Sequence, residues 1–174
     1  INTTRASLLA AKAALIGRAA SDDDRPGSLP CPDTDNDGNA DPATGNCTVT
    51  VGRLPWKTLR VGELRDGYGE LLWYAMPLAL RDISTAKINS TQSTGLTLDG
   101  QPEIAAVLFS PGPPLATQTG RPSNNTNDYL DGNNASTSTS FVSGPRSDVF
   151  NDQVIAITRE ELFRVVGQRV LGEI

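Results

Sequence analysis

The stretch Cys31-Pro-Asp-Thr-Asp-Asn-Asp-Gly-Asn-Ala-Asp-Pro-Ala-Thr-Gly-Asn-Cys47 governs our interpretation of the whole chain. Its acidic residues follow the order D-x-D-x-D-G-x-x-D, which matches the front of a calcium-binding loop. Four carboxylates within nine residues repel one another unless a cation lies among them. Because the loop offers oxygen ligands and the chain contains no histidine, we predict a hard cation, Ca2+. The predicted ligands are the side chains of Asp33, Asp35, Asp37 and Asp41 and the backbone carbonyl of Asn39.

This loop is shorter than a complete EF-hand loop. The twelfth position of an EF-hand is a bidentate glutamate, whereas the corresponding residue here is Thr44. A simpler interpretation is also open, because turns rich in Asp, Asn and Gly form on protein surfaces without any ion. The cation prediction therefore depends on the spacing of the aspartates and not on their number.

Cys31 and Cys47 are the only two cysteines of the chain, and they bracket the acidic loop. We therefore predict a disulfide between them. A bridge that closes a loop of this size stabilises a protein by about 3 kcal/mol. Such a bridge implies an oxidising compartment outside the cytosol. The alternative is a pair of buried free thiols.

The composition limits the classes of function. A chain of 174 residues suits a single domain, 1–174, and a net charge of −5 argues against nucleic acid as a partner. The sequence contains no histidine, no G-x-S-x-G elbow, no phosphate loop and no dinucleotide fingerprint. Carboxylate-only catalysis would need Glu63, Glu70 or Glu103, and none of them has a partner suggested by spacing. We therefore predict that the protein is not an enzyme.

The N-terminal 20 residues predict a helix, from about Thr3 to Ala20. Larger apolar residues, Leu8, Leu9, Leu15 and Ile16, fall on one broad side of it. Small residues recur at steps of three and four on another side, at Ala6, Ala10, Ala13, Gly17 and Ala20. Two such faces indicate two partners, the rest of the domain and a neighbouring subunit. The alternative is that alanine serves only helix propensity.

The rest of the chain predicts an α+β fold, with four to five strands in a sheet and a C-terminal helix that packs back on that sheet. The predicted strands are Thr48–Val51, Leu71–Met76, Gly95–Leu98, Ile104–Phe109 and Val154–Ile157. The third and fourth form a hairpin with a somewhat long turn around Asp99-Gly100, and residues 82–93 form a loop. Thr158-Arg-Glu-Glu161 is a capping box that begins a C-terminal helix.

Residues 110–148, which we call the excursion, are rich in Pro, Gly, Asn, Ser and Thr and show no periodic signal. A segment of this length without secondary structure is either functional or floppy. Within it Asn127, Asp128 and Asp131 offer oxygens for a second ion, although turn chemistry explains the same residues more simply.

Several motifs occur together along the chain and resemble the soluble part of bacterial type IV pilin-like proteins. These proteins are the minor pilins of type IV pili and the pseudopilins of type II secretion. The motifs lie in Leu9–Gly17, Leu29–Pro32, Gly52–Leu59, Asp66–Tyr74 and Asn151–Phe163. The resemblance implies that residues 1–20 are the second, amphipathic half of a longer helix. Its hydrophobic first half, which a prepilin peptidase would release from a class III leader, would anchor the subunit in the inner membrane and is missing from this sequence. The resemblance also implies that an antiparallel sheet of about four to five strands packs on this helix.

The resemblance further implies other pilin or pseudopilin subunits as partners, and calcium sites occur in this family. We therefore expect a structural subunit that starts at the periplasmic face of the inner membrane and enters a periplasmic or extracellular filament. The alternative is a secreted, calcium-stabilised, adhesin-like binding module that uses the excursion as its recognition surface.

Overall fold

The computed structural model describes residues 2–83 and 88–172 and shows an α+β fold. A helix lies at each end of the described chain, and a six-stranded sheet lies between them in sequence. The helices are α1 (Asn2–Ser21), α2 (Asn133–Ser136) and α3 (Arg159–Gly172). The strands are β1 (Val51–Arg53), β2 (Trp73–Ala75), β3 (Leu96–Leu98), β4 (Gln101–Ser110), β5 (Ser140–Phe141) and β6 (Gln153–Thr158).

The central strand is β4, which pairs antiparallel with β2, β3 and β6. β1 extends the sheet beyond β2, and β5 extends it beyond β3 in a parallel pair. The prediction of a wholly antiparallel sheet with four to five strands is therefore wrong, and the sheet is mixed. The extra strand has only two residues and lies inside the polar excursion, where no alternating pattern marks it.

The hairpin between β3 and β4 is tighter than predicted. Leu98 pairs with Gln101, so the turn consists of Asp99 and Gly100 alone, both with positive φ. This is the geometry that a two-residue hairpin favours. At the first strand the error is one of position, because β1 begins at Val51, where the predicted strand ends. The predicted loop at 82–93 holds for residues 82–83 and 88–93, while residues 84–87 lie outside the described residues.

Helix α1 buries a single face against the sheet and α3. The buried residues recur every three or four positions, at Thr4, Leu8, Ala11, Leu15 and Ala19. The predicted apolar side is partly wrong, because Leu9 is 46% exposed. Ala11 and Ala19 take its place in the core, since a small side chain lets the helix lie close to its neighbours. An ion pair joins the two helices, with Lys12 Nζ 2.9 Å from Glu161 Oε2 of α3.

The sheet carries a hydrophobic core on each face. Tyr74 and Leu108 belong to the cluster that packs against α1 and α3. Their neighbours Trp73 and Phe109 point the other way, because successive strand residues alternate between faces. That second cluster is completed by residues of the excursion, Tyr129, Leu130 and Phe141. The excursion is thus an ordered layer on the sheet, and the floppy alternative is wrong.

Helix α3 begins at the predicted capping box. The Thr158 hydroxyl accepts a hydrogen bond from the Glu161 amide at 3.1 Å, and the Glu161 carboxylate accepts one from the Thr158 amide at 2.8 Å. Leu162 and Val166 are buried, whereas Val165 and Val170 of the predicted apolar face are 38% and 39% exposed. No helix within residues 2–83 and 88–172 has the length and apolar character of a membrane span.

Candidate cation site

Cys31 and Cys47 form a disulfide, with their Cα atoms 5.3 Å apart, and the chain has no free cysteine. The prediction of a bridge is confirmed, and the alternative of two buried thiols is wrong. The bridge spans 16 positions and encloses all the predicted cation ligands. A disulfide is compatible with a periplasmic or extracellular location, as the sequence predicted.

The base of the acidic loop is joined to strand β1 by backbone hydrogen bonds. Asp33 and Arg53 exchange two of them, with N–O distances of 2.9 and 3.0 Å. The Asp41 amide donates to the Pro32 carbonyl at 3.1 Å, which brings the two ends of the loop together. Gly52 permits this arrangement, because a Cβ there would lie 2.8 Å from Pro32 Cβ and 2.9 Å from the Asp33 carbonyl oxygen.

The carboxylate of Asp33 organises the loop from inside. It is only 2% exposed and accepts hydrogen bonds from the amides of Asp35 (3.2 Å), Asn36 (2.8 Å) and Gly38 (2.8 Å). Burial raises the pKa of Asp33, although the three amides oppose that effect. An anion that accepts this many backbone hydrogen bonds determines the local fold and also points its charge into the loop.

Gly38 is required by the path of the chain at this point. Its φ is +89°, and a Cβ there would lie 2.9 Å from Lys57 Cγ and from Trp56 Cε2. The Gly38 carbonyl accepts a hydrogen bond from the Lys57 amide at 2.8 Å. The glycine of the sequence motif therefore has a steric reason in this fold, because both the positive φ and the neighbouring side chains exclude a larger residue.

The four aspartates of the motif converge. Each of Asp33, Asp35, Asp37 and Asp41 places a carboxylate oxygen within 4.8 Å of the others. Asp35 and Asp37 are exposed, so the group opens toward solvent. The Asn39 amide donates to Asp37 at 2.8 Å and is the main cause that lowers the pKa of that carboxyl group. The arrangement can bind a metal ion, whereas the Asn39 carbonyl as a ligand stays a prediction.

The nearby cation Lys57 offsets the negative charge of this group only in part, by helping to lower the pKa of Asp37. None of the ion pairs among the described residues includes one of these four carboxylates. Four like charges within 4.8 Å destabilise one another unless protons or a cation compensate them. The residues therefore fit a cation, and their all-oxygen ligand set fits a hard one.

The other acidic residues singled out in the sequence have separate hydrogen-bonding roles. Asp128 accepts a hydrogen bond from the Ser123 hydroxyl at 2.6 Å, and Asp131 accepts three from elsewhere in the domain. The three glutamates considered for catalysis are not brought together. Glu63, Glu70 and Glu103 form ion pairs with three different arginines, Arg65, Arg121 and Arg159.

Sequence reasoning missed the role of Arg53, which joins the acidic loop to the excursion. Its guanidinium lies over the rings of Trp73 and Tyr129, at 5.0 and 4.9 Å from their centroids, and the two rings also contact each other, with their centroids 5.1 Å apart. It also donates hydrogen bonds of 2.6 Å to the Asn124 side chain and to the Ser123 carbonyl. The available signal was a cation within the otherwise compact apolar segment Gly52–Leu59.

The chain was compared with models of protein families, with curated proteins and with solved structures. No family model, curated protein or solved structure matches it. The function must therefore be argued from the geometry described above.

Proposed function

We propose that this chain is the head domain of a structural subunit of a type IV pilus or a type II secretion pseudopilus, stabilised by Ca2+ and by its disulfide. The observation that carries the proposal is the two-faced character of α1. One face of this helix is buried in the domain, while the small side chains of Ala6, Ala10, Ala13 and Gly17 on another side are exposed.

The exposed small residues suit close contact with another helix. A Cβ added at Gly17 would meet nothing within 4 Å, so nothing in the described residues of this domain requires a small residue there. Small side chains allow two helix backbones to approach closely, which favours dispersion contacts along the whole seam. In the proposed filament the second helix belongs to another subunit, and α1 continues toward the inner membrane.

The coding sequence upstream of Ile1 tests the class of protein directly. A filament subunit requires a Gly/Phe-Thr-Leu-x-Glu start followed by about 20 apolar residues, which is the length of a membrane-spanning helix. An ordinary cleavable signal peptide in that place would contradict the proposal. It would support a secreted binding module instead, because the ordered excursion then offers a built surface for recognition.

A single substitution separates assembly from folding. We expect Ala13→Leu to reduce incorporation into filaments at least several-fold while it leaves the melting temperature of the domain unchanged, because Ala13 is exposed. The matched control is Ala11→Leu, two positions away on the buried face, where overpacking costs about 1–3 kcal/mol. Thermal unfolding and quantification of assembled subunits check both variants, and normal assembly of Ala13→Leu would count against the seam.

The proposed ion is Ca2+ because the converging groups are carboxylates on an irregular loop. Calcium accepts six to eight oxygen ligands in flexible geometry, whereas Mg2+ demands a near-ideal octahedron and keeps several waters. Asp35 and Asp37 are exposed, so water can complete the coordination on the outer side. The hydrogen bonds from Asp41 to Pro32 and between Asp33 and Arg53 of β1 hold the ligands in place before the ion binds.

Removal of calcium is expected to lower the melting temperature. With a dissociation constant of about 0.1 mM, as in extracellular modules, about 1 mM Ca2+ adds about 1.4 kcal/mol of stability. EGTA should abolish this increment, and Asp35→Ala should make the protein insensitive to EGTA. Asp23→Ala, at an exposed acidic residue outside the loop, is the control and should retain the response. An identical melt of the unsubstituted protein with calcium and with EGTA would exclude calcium.

A further inference from the structure

Two buried carboxyl groups meet where the excursion joins the sheet. Asp131 lies in the excursion just before α2, and Asp152 is the residue that precedes β6. Their exposures are 2% and 5%. Two ionised carboxylates in contact in such a dry place repel each other strongly, so the charge of this pair needs an explanation.

Hydrogen bonds from five N–H groups surround the pair. Asp131 accepts from the Gln118 side-chain amide at 2.7 Å and from the backbone amides of Asn151 and Asp152 at 2.7 and 3.0 Å. Asp152 Oδ2 accepts from the Asp131 amide at 2.9 Å and from the Asn134 side-chain amide at 3.1 Å. Donors aimed at the pair from several directions leave it unsuited to a metal ion, which would be repelled by these N–H dipoles.

The nearby cation Arg121 interacts with other groups and not with the two carboxyl groups. Arg121 reaches Gln118 Oε1 at 3.0 Å, but its guanidinium forms an ion pair with Glu70 at 3.5 Å and stacks on Tyr129. No lysine or arginine of the described residues donates a hydrogen bond to either carboxyl group.

The remaining charged groups around the pair do not compensate it either. Asp66 accepts hydrogen bonds from the Ser110 hydroxyl and the Gly112 amide, and Asp128 accepts one from the Ser123 hydroxyl. Arg146 and Asp148, in the segment between β5 and β6, are exposed. Helix α2 and strand β6 contain no charged residue.

One oxygen of the pair has no partner. Asp152 Oδ1 is buried and receives no hydrogen bond from residues 2–83 or 88–172, which is costly for an ionised carboxylate. A proton on this carboxyl group removes both problems, because it cancels one charge and turns the group into a donor. Consistent with this, burial and the neighbouring Asp131 raise the pKa of Asp152 to about 8.

We propose that Asp152 is a neutral carboxylic acid that shares its proton with the Asp131 carboxylate. This shared proton makes the attachment of the excursion to β6 sensitive to pH. The proton is bound when the domain folds, and it is lost when the Asp152 carboxyl group ionises. The proposal is independent of the cation site, because none of its groups belongs to the acidic loop.

The direction of the pH effect follows from the proton count. An unfolded aspartate has a pKa of about 3.9, whereas the folded pKa of Asp152 is about 8. Between these values the folded state binds one more proton than the unfolded state, so stability falls as pH rises. The unfolding constant should increase about tenfold per pH unit from about pH 4 to pH 8 and level off above that. Beyond pH 8 two buried anions face each other, and the excursion loosens.

The test is chemical denaturation between pH 5 and pH 8 of the unsubstituted protein and of Asp152→Asn. Asparagine is isosteric and supplies a permanent N–H donor toward Asp131, so the variant should fold and should lose the tenfold change per pH unit. Asp148→Asn, at an exposed aspartate of the same segment, is the control and should retain it. The unsubstituted protein and Asp152→Asn have all other titrating groups in common. The difference between their two profiles of stability against pH therefore isolates the proton of Asp152. Parallel profiles would overturn the proposal.

A second measurement does not depend on the variant. The carboxyl carbon-13 shift of Asp152 in the unsubstituted protein should titrate with a midpoint far above 4, near 8. Amide hydrogen exchange at Asp131 and Asn134 should accelerate above that midpoint by more than the intrinsic pH dependence of exchange. A midpoint near 4 would show an ordinary carboxylate and would refute the shared proton.

Discussion

Replacing Asp33 with alanine is expected to lower the free energy of unfolding by about 3 kcal/mol, even in excess EGTA. The carboxylate of this residue accepts three backbone hydrogen bonds inside the loop, and the Gly38 amide that donates one of them is buried. Removing the acceptor leaves that amide unsatisfied and frees a chain that Gly38 holds at positive φ. Urea denaturation of the calcium-free protein measures the loss.

Asp35→Ala is the matched comparison for this experiment. Asp35 is exposed, so in EGTA we expect its removal to change stability by less than about 0.5 kcal/mol. In calcium, both variants should lack the increment of about 1.4 kcal/mol. The pair thus separates the two roles that we propose, in which Asp33 builds the loop and both residues bind the ion. Equal losses for the two variants in EGTA would show that Asp33 does not organise the loop.

The acidic loop is the part of the structure that the sequence predicts best, because its chemistry is local. The alternation of Asp33, Asp35 and Asp37 before Gly38 determines side-chain directions over a few residues, and the two cysteines close the segment. The convergence of the carboxylates within 4.8 Å follows from that local geometry. The identity of the ion does not follow from it, because oxygen ligands suit several hard cations.

The helix shows where local pattern is insufficient. By hydrophobicity alone, leucine is expected in the core, whereas alanine is expected in the core or on the surface. In this helix Leu9 is exposed and Ala11 is fully buried. The close approach of α3, held by the ion pair from Lys12 to Glu161, favours a small residue on the buried side. The rotation of α1 about its axis is therefore determined by tertiary packing, which a helical wheel does not contain.

The excursion was the least predictable segment, because long-range polar contacts and not a periodic pattern attach it to the sheet. Its anchors are distant in sequence: Arg53 binds Ser123 and Asn124, and Asp152 meets Asp131. In the sequence, each of these anchor residues looks like an ordinary polar residue of a protein surface. Only the fold shows that Arg53 and Asp152 are 5% exposed and join separate layers of the domain.

These anchors also connect the candidate cation site to the excursion. Arg53 pairs through its backbone with Asp33, the first residue of the acidic loop, and through its side chain with Tyr129 of the excursion. A cation that stiffens the loop therefore also supports the layer on the outer face of the sheet. This arrangement would suit the head domain of the proposed filament subunit, because Arg53 joins the loop, the strand and the excursion.

The second large effect is expected from Cys31→Ala/Cys47→Ala, which should lower the free energy of unfolding by about 3 kcal/mol. The bridge spans 16 positions, and its loss enlarges the conformational freedom of the unfolded chain. The increment from calcium should nevertheless persist, because the bond from Asp41 to Pro32 and the pairing of Asp33 with Arg53 close the loop without the disulfide.

Urea denaturation of the double variant and the unsubstituted protein, each in calcium and in EGTA, measures both quantities in one experiment. Two parallel losses of about 3 kcal/mol would assign the disulfide to stability and the backbone bonds to ligand placement. If the double variant instead lost its response to calcium, the bridge itself would hold the carboxylates in position. Ligand geometry would then depend on an oxidising environment, since reduction would remove the cation site together with the bridge.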